Sequence, residues 1–346
     1  MTTILIMGAG SVGCYLGGVL AAAGAEVHFV GRPRVLQALG QQGLTVSDLE
    51  GRRTALPIDK LHLHDAIPAG LAPDLTLLCV KSGATVEAAL SLAQSLPAGS
   101  LVVSMQNGIG NADRGHEAAP MLDWRPGMVP FNIAEIGPGQ FHRGTGGALA
   151  VQSAADDAAM LELQQAFGTQ GLKLRLNADL QAVQWGKLVI NLNNPVNALS
   201  GLPLRDELLE PDLRGTTALL IEEALSVLAS ARQRTVKVTP LPTGWLPRLM
   251  RLPTPVFKVL AARMLKIDPR ARSSMADDLA LGRRTEIGEL CGEVVKLAKS
   301  VGRRAPRNEK MLGLIRYVEL TALAVGSPTR GPTDPAELRK TIESAI

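Results

Sequence analysis

The sequence predicts an α/β domain with a Rossmann-like sheet at residues 1–177, followed by a mostly α-helical domain at residues 178–346. Three observations support this prediction. A glycine-rich turn joins an apolar strand to a helix near the N-terminus, strand and helix patterns then alternate, and the second half of the chain is helical almost throughout. A length of 346 residues suits two domains.

Composition excludes several classes of protein. The chain is 46% hydrophobic and 20% charged, which is typical of a folded chain rather than a disordered one. It has neither an apolar run long enough to span a membrane nor a signal-peptide pattern. A net charge of +4 with 3% aromatic residues argues against nucleic acid. Three widely spaced cysteines favour a reducing cytoplasm and indicate no metal site.

The first domain begins with a βαβ pattern. Residues 3–7 form a continuous apolar run, as expected for a strand that is buried on both faces of a parallel sheet. A helix at 14–23 ends at Gly24, and a second strand at 25–30 follows. The alternation continues with predicted strands at 75–80, 101–105, 127–133, 147–152 and 173–176, and with predicted helices at 84–95 and 158–170.

The second domain has helical periodicity, broken by prolines at 240–255. The predicted helices cover 179–194, 206–233, 254–266, 274–301, 306–324 and a short segment after Pro335.

Residues 8–13, Gly8-Ala9-Gly10-Ser11-Val12-Gly13, have the GxGxxG spacing. They follow a strand and open a helix, which is the context that a dinucleotide-binding turn requires. Gly8 allows the tight turn, Gly10 lets the backbone approach a pyrophosphate, and Gly13 lets helix and strand pack closely. The alternative is an ordinary glycine-rich turn.

The end of the second strand indicates which dinucleotide would bind. NAD enzymes usually carry Asp or Glu there, whereas this strand runs into Arg32. A guanidinium can bind a 2′-phosphate, which a carboxylate would repel. We therefore predict NADP(H), with a solvated loop cation as the alternative.

Lys187, Asn191 and Asn194 share one face of the predicted helix at 179–194, because they are spaced i, i+4 and i+7. The residues between them are apolar, so this polar stripe lies on a largely buried helix and needs partners. Those partners could be a substrate or other parts of the protein. A desolvated lysine suits acid catalysis, since burial lowers its pKa.

Two other strands also end in polar residues. Lys81 follows the strand at 75–80, and Asn107 follows the strand at 101–105. Ligands of open α/β sheets bind outside the carboxyl ends of the strands. Asn107 could equally belong to a plain turn, because Gly108 follows it.

Polar residues also cluster near the start of the predicted helix at 274–301. Ser273 and Ser274 could cap this helix, and Asp277 stands three residues after Ser274, as in a capping box. Glu286 lies 12 residues beyond Ser274, or ~18 Å along a continuous helix. We therefore expect Ser274 and Glu286 not to contact the same small ligand.

Taken together, these motifs resemble those of the ketopantoate reductase family along nearly the whole chain. The strings that carry the resemblance are residues 8–13, Val80-Lys81, Gln106-Asn107-Gly108, Lys187-Leu188-Val189-Ile190-Asn191 with Asn194-Pro195, Ser273-Ser274-Met275 with Asp278, and Arg284-Thr285-Glu286-Ile287.

The resemblance implies NADPH-dependent reduction of 2-dehydropantoate to (R)-pantoate, a step toward pantothenate and coenzyme A. It implies that Lys187 donates the proton, and it allows a homodimer. The substrate ligands that it implies are Asn107, Asn191, Asn194 and Ser274. The cofactor ligands that it implies are Gly8, Ala9, Gly10, Ser11, Val12, Gly13, Arg32, Lys81, Asn107, Ala134 and Glu286.

Some positions depart from the family pattern. Ala271 stands where the family often has a polar residue, and Gly288 and Cys291-Gly292 replace the usual Asp and Asn-Gly. These departures leave a reductase of a different small 2-oxo acid as an alternative. A separate alternative is an NADPH sensor without turnover.

The segment 241–266 carries five cations and no acid, so an anionic membrane surface is an alternative to a solvated helix or a dimer contact.

Overall fold

A computed structural model describes residues 2–236, 241–262, 264–266, 271–325 and 333–345, without the side chains of 322–325. Contacts between Cα atoms divide the chain into two compact units, Met1–Leu180 and Gln181–Ile346. The described residues of the first unit form an α/β structure, and those of the second are almost entirely helical. The predicted fold class is therefore confirmed.

The first unit contains twelve strands in its described residues and five helices. The strands are β1 Thr3–Met7, β2 Glu26–Val30, β3 Leu44–Asp48, β4 Arg53–Leu56, β5 His62–His64, β6 Leu75–Leu78, β7 Leu101–Ser104, β8 Asp123–Met128, β9 Ile133–Gly137, β10 Gln140–Arg143, β11 Leu149–Gln152 and β12 Leu174–Asn177. The helices are α1 Ser11–Ala22, α2 Pro33–Gln42, α3 Thr85–Ser95, α4 Asn111–Ala118 and α5 Ala158–Thr169.

Eight strands form the main sheet, in the order β12-β11-β8-β7-β6-β1-β2-β5. Its pairs are parallel apart from β8 with β11. Ile4 and Ile6 belong to the core on one face of β1, and Leu5 belongs to the core on the other. This two-sided burial explains why the central strands are continuous apolar runs.

A second sheet, with the order β4-β3-β10-β9, was not predicted. Its strands mix polar and apolar residues, so they lack the apolar run that marks β1. The predicted strand at 127–133 is wrong: β8 ends at Met128, and β9 begins at Ile133. Pro130 lies between them and has no N–H group for a strand ladder.

The second unit contains ten helices within its described residues, the first of which begins at Leu180. They are α6 Leu180–Asn191, α7 Asn194–Ser200, α8 Leu204–Leu209, α9 Pro211–Ser230, α10 Leu246–Met250, α11 Thr254–Leu260, α12 Ser274–Ala280, α13 Cys291–Ser300, α14 Pro306–Val325 and α15 Pro335–Glu343.

Three predicted helices are interrupted. New helices start at α7 and α9, with Pro195 and Pro211 in their first turns, where the missing N–H of proline has no helical partner to lose. The helix predicted at 274–301 ends near Gly282, whose φ of +63° is a left-handed conformation that favours glycine.

The basic segment 241–266 forms short helices rather than one long one. Val256, Val259 and Leu260 of α11 are exposed, and the Arg248 guanidinium lies 5.7 Å from the centre of the Trp245 ring. Arg263, one of the five cations, lies outside the described residues. No helix in the described part of the chain is both long and apolar enough to cross a membrane.

Candidate active site

The carboxyl ends of four neighbouring strands carry the predicted residues of the first unit. Strands β7, β6, β1 and β2 are adjacent and parallel, so these ends lie at one edge of the sheet. Residues 8–13 follow β1, and Arg32, Lys81 and Asn107 follow β2, β6 and β7. The fold thus brings these four parts of the sequence to one side of the first unit.

The three glycines of the turn have different surroundings. Gly8 has a φ of +110°, and a Cβ there would lie 2.7 Å from the Val80 nitrogen. A Cβ on Gly13 would overlap the carbonyl oxygen of Gly8. Gly10 is exposed, and a Cβ there would meet no atom within 4 Å. Gly8 and Gly13 are therefore required by the fold, whereas Gly10 keeps the backbone open on its outer side.

This geometry fits a dinucleotide. Gly10 is the N-cap of α1 and offers no side chain, so a pyrophosphate could approach the backbone closely. The first N–H groups of a helix lack intrahelical partners and attract anions. Ser11, Val12 and Gly13 form the first turn of α1. Ala9 is buried, and its N–H donates to the Val30 carbonyl oxygen at 2.8 Å.

Arg32 is exposed at the N-cap of α2, and it forms no ion pair with any described side chain. Arg34 differs, because its guanidinium donates two hydrogen bonds to Glu135 of β9, one at 3.1 Å. This ion pair links β9 to the first turn of α2. Ala134 precedes Glu135 on β9 and is exposed there.

A buried polar network that sequence reasoning missed supports the loops after β6 and β7. The Gln106 amide donates to the Val80 carbonyl oxygen at 2.9 Å and to the Thr85 hydroxyl at 2.8 Å. The Asn111 amide donates to the Asn107 carbonyl oxygen at 2.7 Å. The two loops are therefore tied to each other. The position of Gln106 directly after an apolar strand could have indicated this network from the sequence. The positions of Thr85 and Asn111 gave no such signal.

Lys187 lies on α6 of the second unit. Burial lowers the pKa of its side chain from 10.5 to about 8, and the nearby Glu286 carboxylate partly opposes this shift. Glu286 stands just before the 3₁₀ turn Ile287–Glu289. The fold therefore brings Lys187 and Glu286, which are 99 positions apart in the sequence, close enough to interact electrostatically.

Asn191 and Asn194 do not share a continuous helix. Asn191 ends α6, and Asn194 begins α7 after a turn at residues 192 and 193. The prediction that Lys187, Asn191 and Asn194 lie on one helical face is therefore wrong for Asn194. The reason is Pro195, which is accommodated in the first turn of the new helix.

One of the two serines predicted as caps does cap α12. Ser273, not Ser274, is the N-cap, and its hydroxyl accepts from the Ala276 N–H at 3.2 Å. The same hydroxyl donates to the Asn194 carbonyl oxygen at 3.3 Å, and Asn197 accepts from the Ser273 N–H at 2.9 Å. Ser274 is consequently exposed at the first turn of α12, next to the start of α7.

The prediction that one continuous helix joins Ser274 to Glu286 is wrong. Helix α12 ends at Ala280, and α13 begins only at Cys291. The ~18 Å separation therefore no longer follows.

The three cysteines lie in surroundings that suppress thiol reactivity. All three cysteines are free thiols, and burial raises the pKa of Cys79 to about 12 and raises that of Cys14 and Cys291 as well. Such thiols are weak nucleophiles. Among the described residues, no group of three or more His, Cys, Asp or Glu side chains could hold a metal ion.

Two family profiles together match most of the chain. The profile described as ketopantoate reductase PanE/ApbA matches residues 4–156, and its C-terminal counterpart matches residues 179–319. The chain belongs to the ketopantoate reductase family. The resemblance stated from the motifs is thereby confirmed, and the chain is an oxidoreductase of the ketopantoate reductase type.

Individual relatives agree with this membership. The 2-dehydropantoate 2-reductase of Pyrococcus horikoshii is 28% identical over 323 residues, which cover 91% of this chain and 97% of the relative. A PanE/ApbA family ketopantoate reductase of Ralstonia eutropha has a TM-score of 0.77 at 28% identity, covering 92% of this chain and 99% of that one. A D-mandelate dehydrogenase solved with NADH has the same TM-score at 20% identity, covering 94% and 100%, and shows the fold alone.

Substitution of Gly10 separates cofactor binding from folding. In Gly10→Ala, the added methyl group meets no protein atom, so we expect an unfolding free energy within about 0.5 kcal/mol of wild type. The methyl group would occupy the approach to the backbone, so we expect NADPH affinity to fall ~10-fold or more, measured by fluorescence titration.

The matched control is Gly168→Ala, an exposed position of α5 where a Cβ is equally unobstructed. We expect normal NADPH affinity in this variant. Wild-type affinity in Gly10→Ala would show that no dinucleotide approaches this turn.

Proposed function

We propose that the chain reduces 2-dehydropantoate to (R)-pantoate with NADPH, as a step of pantothenate and coenzyme A biosynthesis. The observation that carries the proposal is Lys187, a half-buried lysine whose desolvation lowers its pKa to about 8, near working pH, and whose ammonium interacts with Glu286. Family membership supplies the reaction type, and the lysine supplies a group that can perform its acid step.

The preference for NADPH is supported by the end of β2. Arg32 is an exposed cation with no ion-pair partner among the described side chains, and no acidic residue stands beside it in the sequence to repel a phosphate. In this proposal residues 8–13 bind the pyrophosphate and Arg32 binds the 2′-phosphate. Further contacts to the cofactor come from Lys81, Asn107, Ala134 and Glu286. When bound, NADPH supplies the hydride that adds to C2 of the ketone.

Lys187 supplies the proton. As the ketone is reduced, negative charge grows on its oxygen, and an ammonium group directed at that oxygen stabilises the charge. The Nζ–H bond then breaks, and the proton completes the hydroxyl group of the product. Neutral Lys187 recovers its proton from solvent. A pKa of about 8 leaves the amine mostly protonated at neutral pH while making it a stronger acid than an ordinary lysine.

The substrate carboxylate and hydroxyl need donors at fixed positions. In this proposal, Asn107, Asn191, Asn194 and Ser274 provide them, as amides and a hydroxyl suited to orient an acid. Asn191 and Asn194 flank the turn between α6 and α7, and Ser274 is exposed beside it. The proximity of these three residues to one turn supports their assignment to the substrate.

We also propose a cytoplasmic location and a homodimer. Three free thiols are what a reducing compartment maintains. A ketopantoate reductase of Staphylococcus aureus with the same fold, at 14% identity, is described as dimeric.

Reduction rates measured with each of two cofactors and several 2-oxo acids test the proposed function. We expect the purified chain to oxidise NADPH with 2-dehydropantoate, with kcat/KM at least ~10-fold above that for NADH and above those for other branched 2-oxo acids. Absorbance at the dihydronicotinamide band measures each rate. A higher value for another 2-oxo acid would reassign the substrate. NADPH binding without turnover of any acid would instead indicate a sensor.

Replacement of Lys187 tests the acid. We expect Lys187→Ala to lose ~10²–10⁴ in kcat, since a positioned acid contributes that range, while NADPH affinity stays near wild type. Steady-state kinetics and a binding titration measure the two effects. The matched control is Lys296→Ala on α13, whose side chain is 72% exposed and which should keep full activity. A normal kcat in Lys187→Ala would remove Lys187 from the acid role.

A further inference from the structure

Half-buried Asn193 and fully buried Glu207 and Thr217 form a hydrogen-bonded group, here called the Asn193 triad. The Asn193 amide nitrogen donates to a Glu207 carboxyl oxygen at 2.9 Å, and the Thr217 hydroxyl donates to the Asn193 amide oxygen at 3.0 Å. Glu207 and Thr217 are 0% exposed. Both ends of the Asn193 amide are therefore held by side chains from two other helices, α8 and α9.

Glu207 is an unusual residue to bury in this position. Its second carboxyl oxygen is buried without a hydrogen-bond partner among the described residues. Burial raises the pKa of the carboxyl group to about 8, although the Asn193 hydrogen bond and the charge of Arg214 oppose the shift. The Arg214 guanidinium donates instead to backbone carbonyl oxygens, such as those of Leu208 and Met250. An acid buried without a paired cation is destabilising, so packing alone does not explain it.

The position of Asn193 indicates what the triad does. Asn193 is the N-cap residue of α7, and only Leu192 separates it from the end of α6. Its side chain offers no hydrogen bond to the helix that it caps. It is committed to Glu207 and Thr217, so these two residues help to fix the turn between Asn191 and Asn194, together with the hydrogen bond from Ser273 to Asn194.

We propose that Glu207 and Thr217 are positioning residues, which hold Asn193 and thereby orient Asn191 and Asn194 toward the 2-oxo acid. This inference rests on the proposed function, because it assigns those two asparagines to the substrate. A neutral carboxyl group suits the place, since a carboxylate beside the turn would repel the substrate's own carboxylate. The triad acts on substrate binding and touches neither substrate nor cofactor itself.

Two adjacent threonines of α9 allow a matched test. Thr217 and Thr216 are both 0% exposed, but the Thr216 hydroxyl donates to the Asp212 carbonyl oxygen within its own helix. We expect Thr217→Val to raise KM for the 2-oxo acid about fivefold or more, as for the loss of one hydrogen bond, with kcat and NADPH affinity near wild type. Thr216→Val should leave all three values unchanged.

Two variants of Glu207 test the same positioning role from the other side of Asn193. Glu207→Gln keeps an acceptor for the Asn193 amide and carries no charge, so KM should stay within about twofold of wild type. Glu207→Leu removes the acceptor at similar volume and should raise KM at least as much as Thr217→Val. Where Glu207→Leu does not fold, the two threonine variants still decide the question.

The outcomes separate this inference from the function on which it rests. Wild-type turnover with an unchanged KM in folded Thr217→Val contradicts the positioning role alone. An equal rise of KM in Thr216→Val and Thr217→Val also contradicts it, because it would indicate general loosening of α9. No turnover of any 2-oxo acid by the wild type contradicts the proposed function, and this inference with it.

Discussion

The proposed chemistry depends on the desolvation of one ammonium group, that of Lys187. Water stabilises a charged lysine, and removing it from water lowers the pKa of Lys187 to about 8. Glu286 works in the opposite direction and keeps the lysine charged near neutral pH. Neither effect alone would give a useful acid. An exposed lysine holds its proton too tightly, and a buried lysine without a carboxylate nearby would lose it too early.

The packing of the surrounding helices keeps Lys187 in this environment. Leu188 and Val189 follow Lys187 on α6 and are buried, so the helix cannot turn the lysine into solvent without exposing them. Beyond α6, the Asn193 triad and the Ser273 cap fix the next two helices. Buried polar groups therefore cluster around the turn between α6 and α7. Their hydrogen bonds restrict the orientation of this turn more than they add to the free energy of unfolding.

In the first unit, close packing and buried hydrogen bonds meet a different requirement. Its sheet edge must offer open backbone at Gly10 while the loops around it stay rigid. Close packing at Gly8 and Gly13 provides rigidity beside the turn, because no side chain fits there. The buried amides of Gln106 and Asn111 provide it for the neighbouring loops. Along this edge, the exposed backbone at Gly10 therefore lies beside closely packed glycines and hydrogen-bonded loops.

Sequence reasoning succeeded where the signal is local. The apolar run of β1, the glycine spacing and the helical periodicity after residue 180 each reflect contacts within a few residues, so the fold class could be predicted. The helix ends at Pro195 and Gly282 had local signals too, but helical periodicity on both sides outweighed them. The electrostatic interaction of Lys187 with Glu286 and the hydrogen bond of Asn193 to Glu207 could not be predicted, because only tertiary packing brings these residues together.

The most direct test is the pH dependence of kcat/KM for 2-oxo acid reduction in the wild type and in Glu286→Gln. Lys187 is protonated below its pKa, so the wild-type value should fall as the pH rises through about 8. Loss of the Glu286 carboxylate removes the charge that raises this pKa, so the fall should move to lower pH. A wild-type profile that stays level to pH 10, or an identical profile in Glu286→Gln, would contradict a desolvated Lys187 as the proton donor.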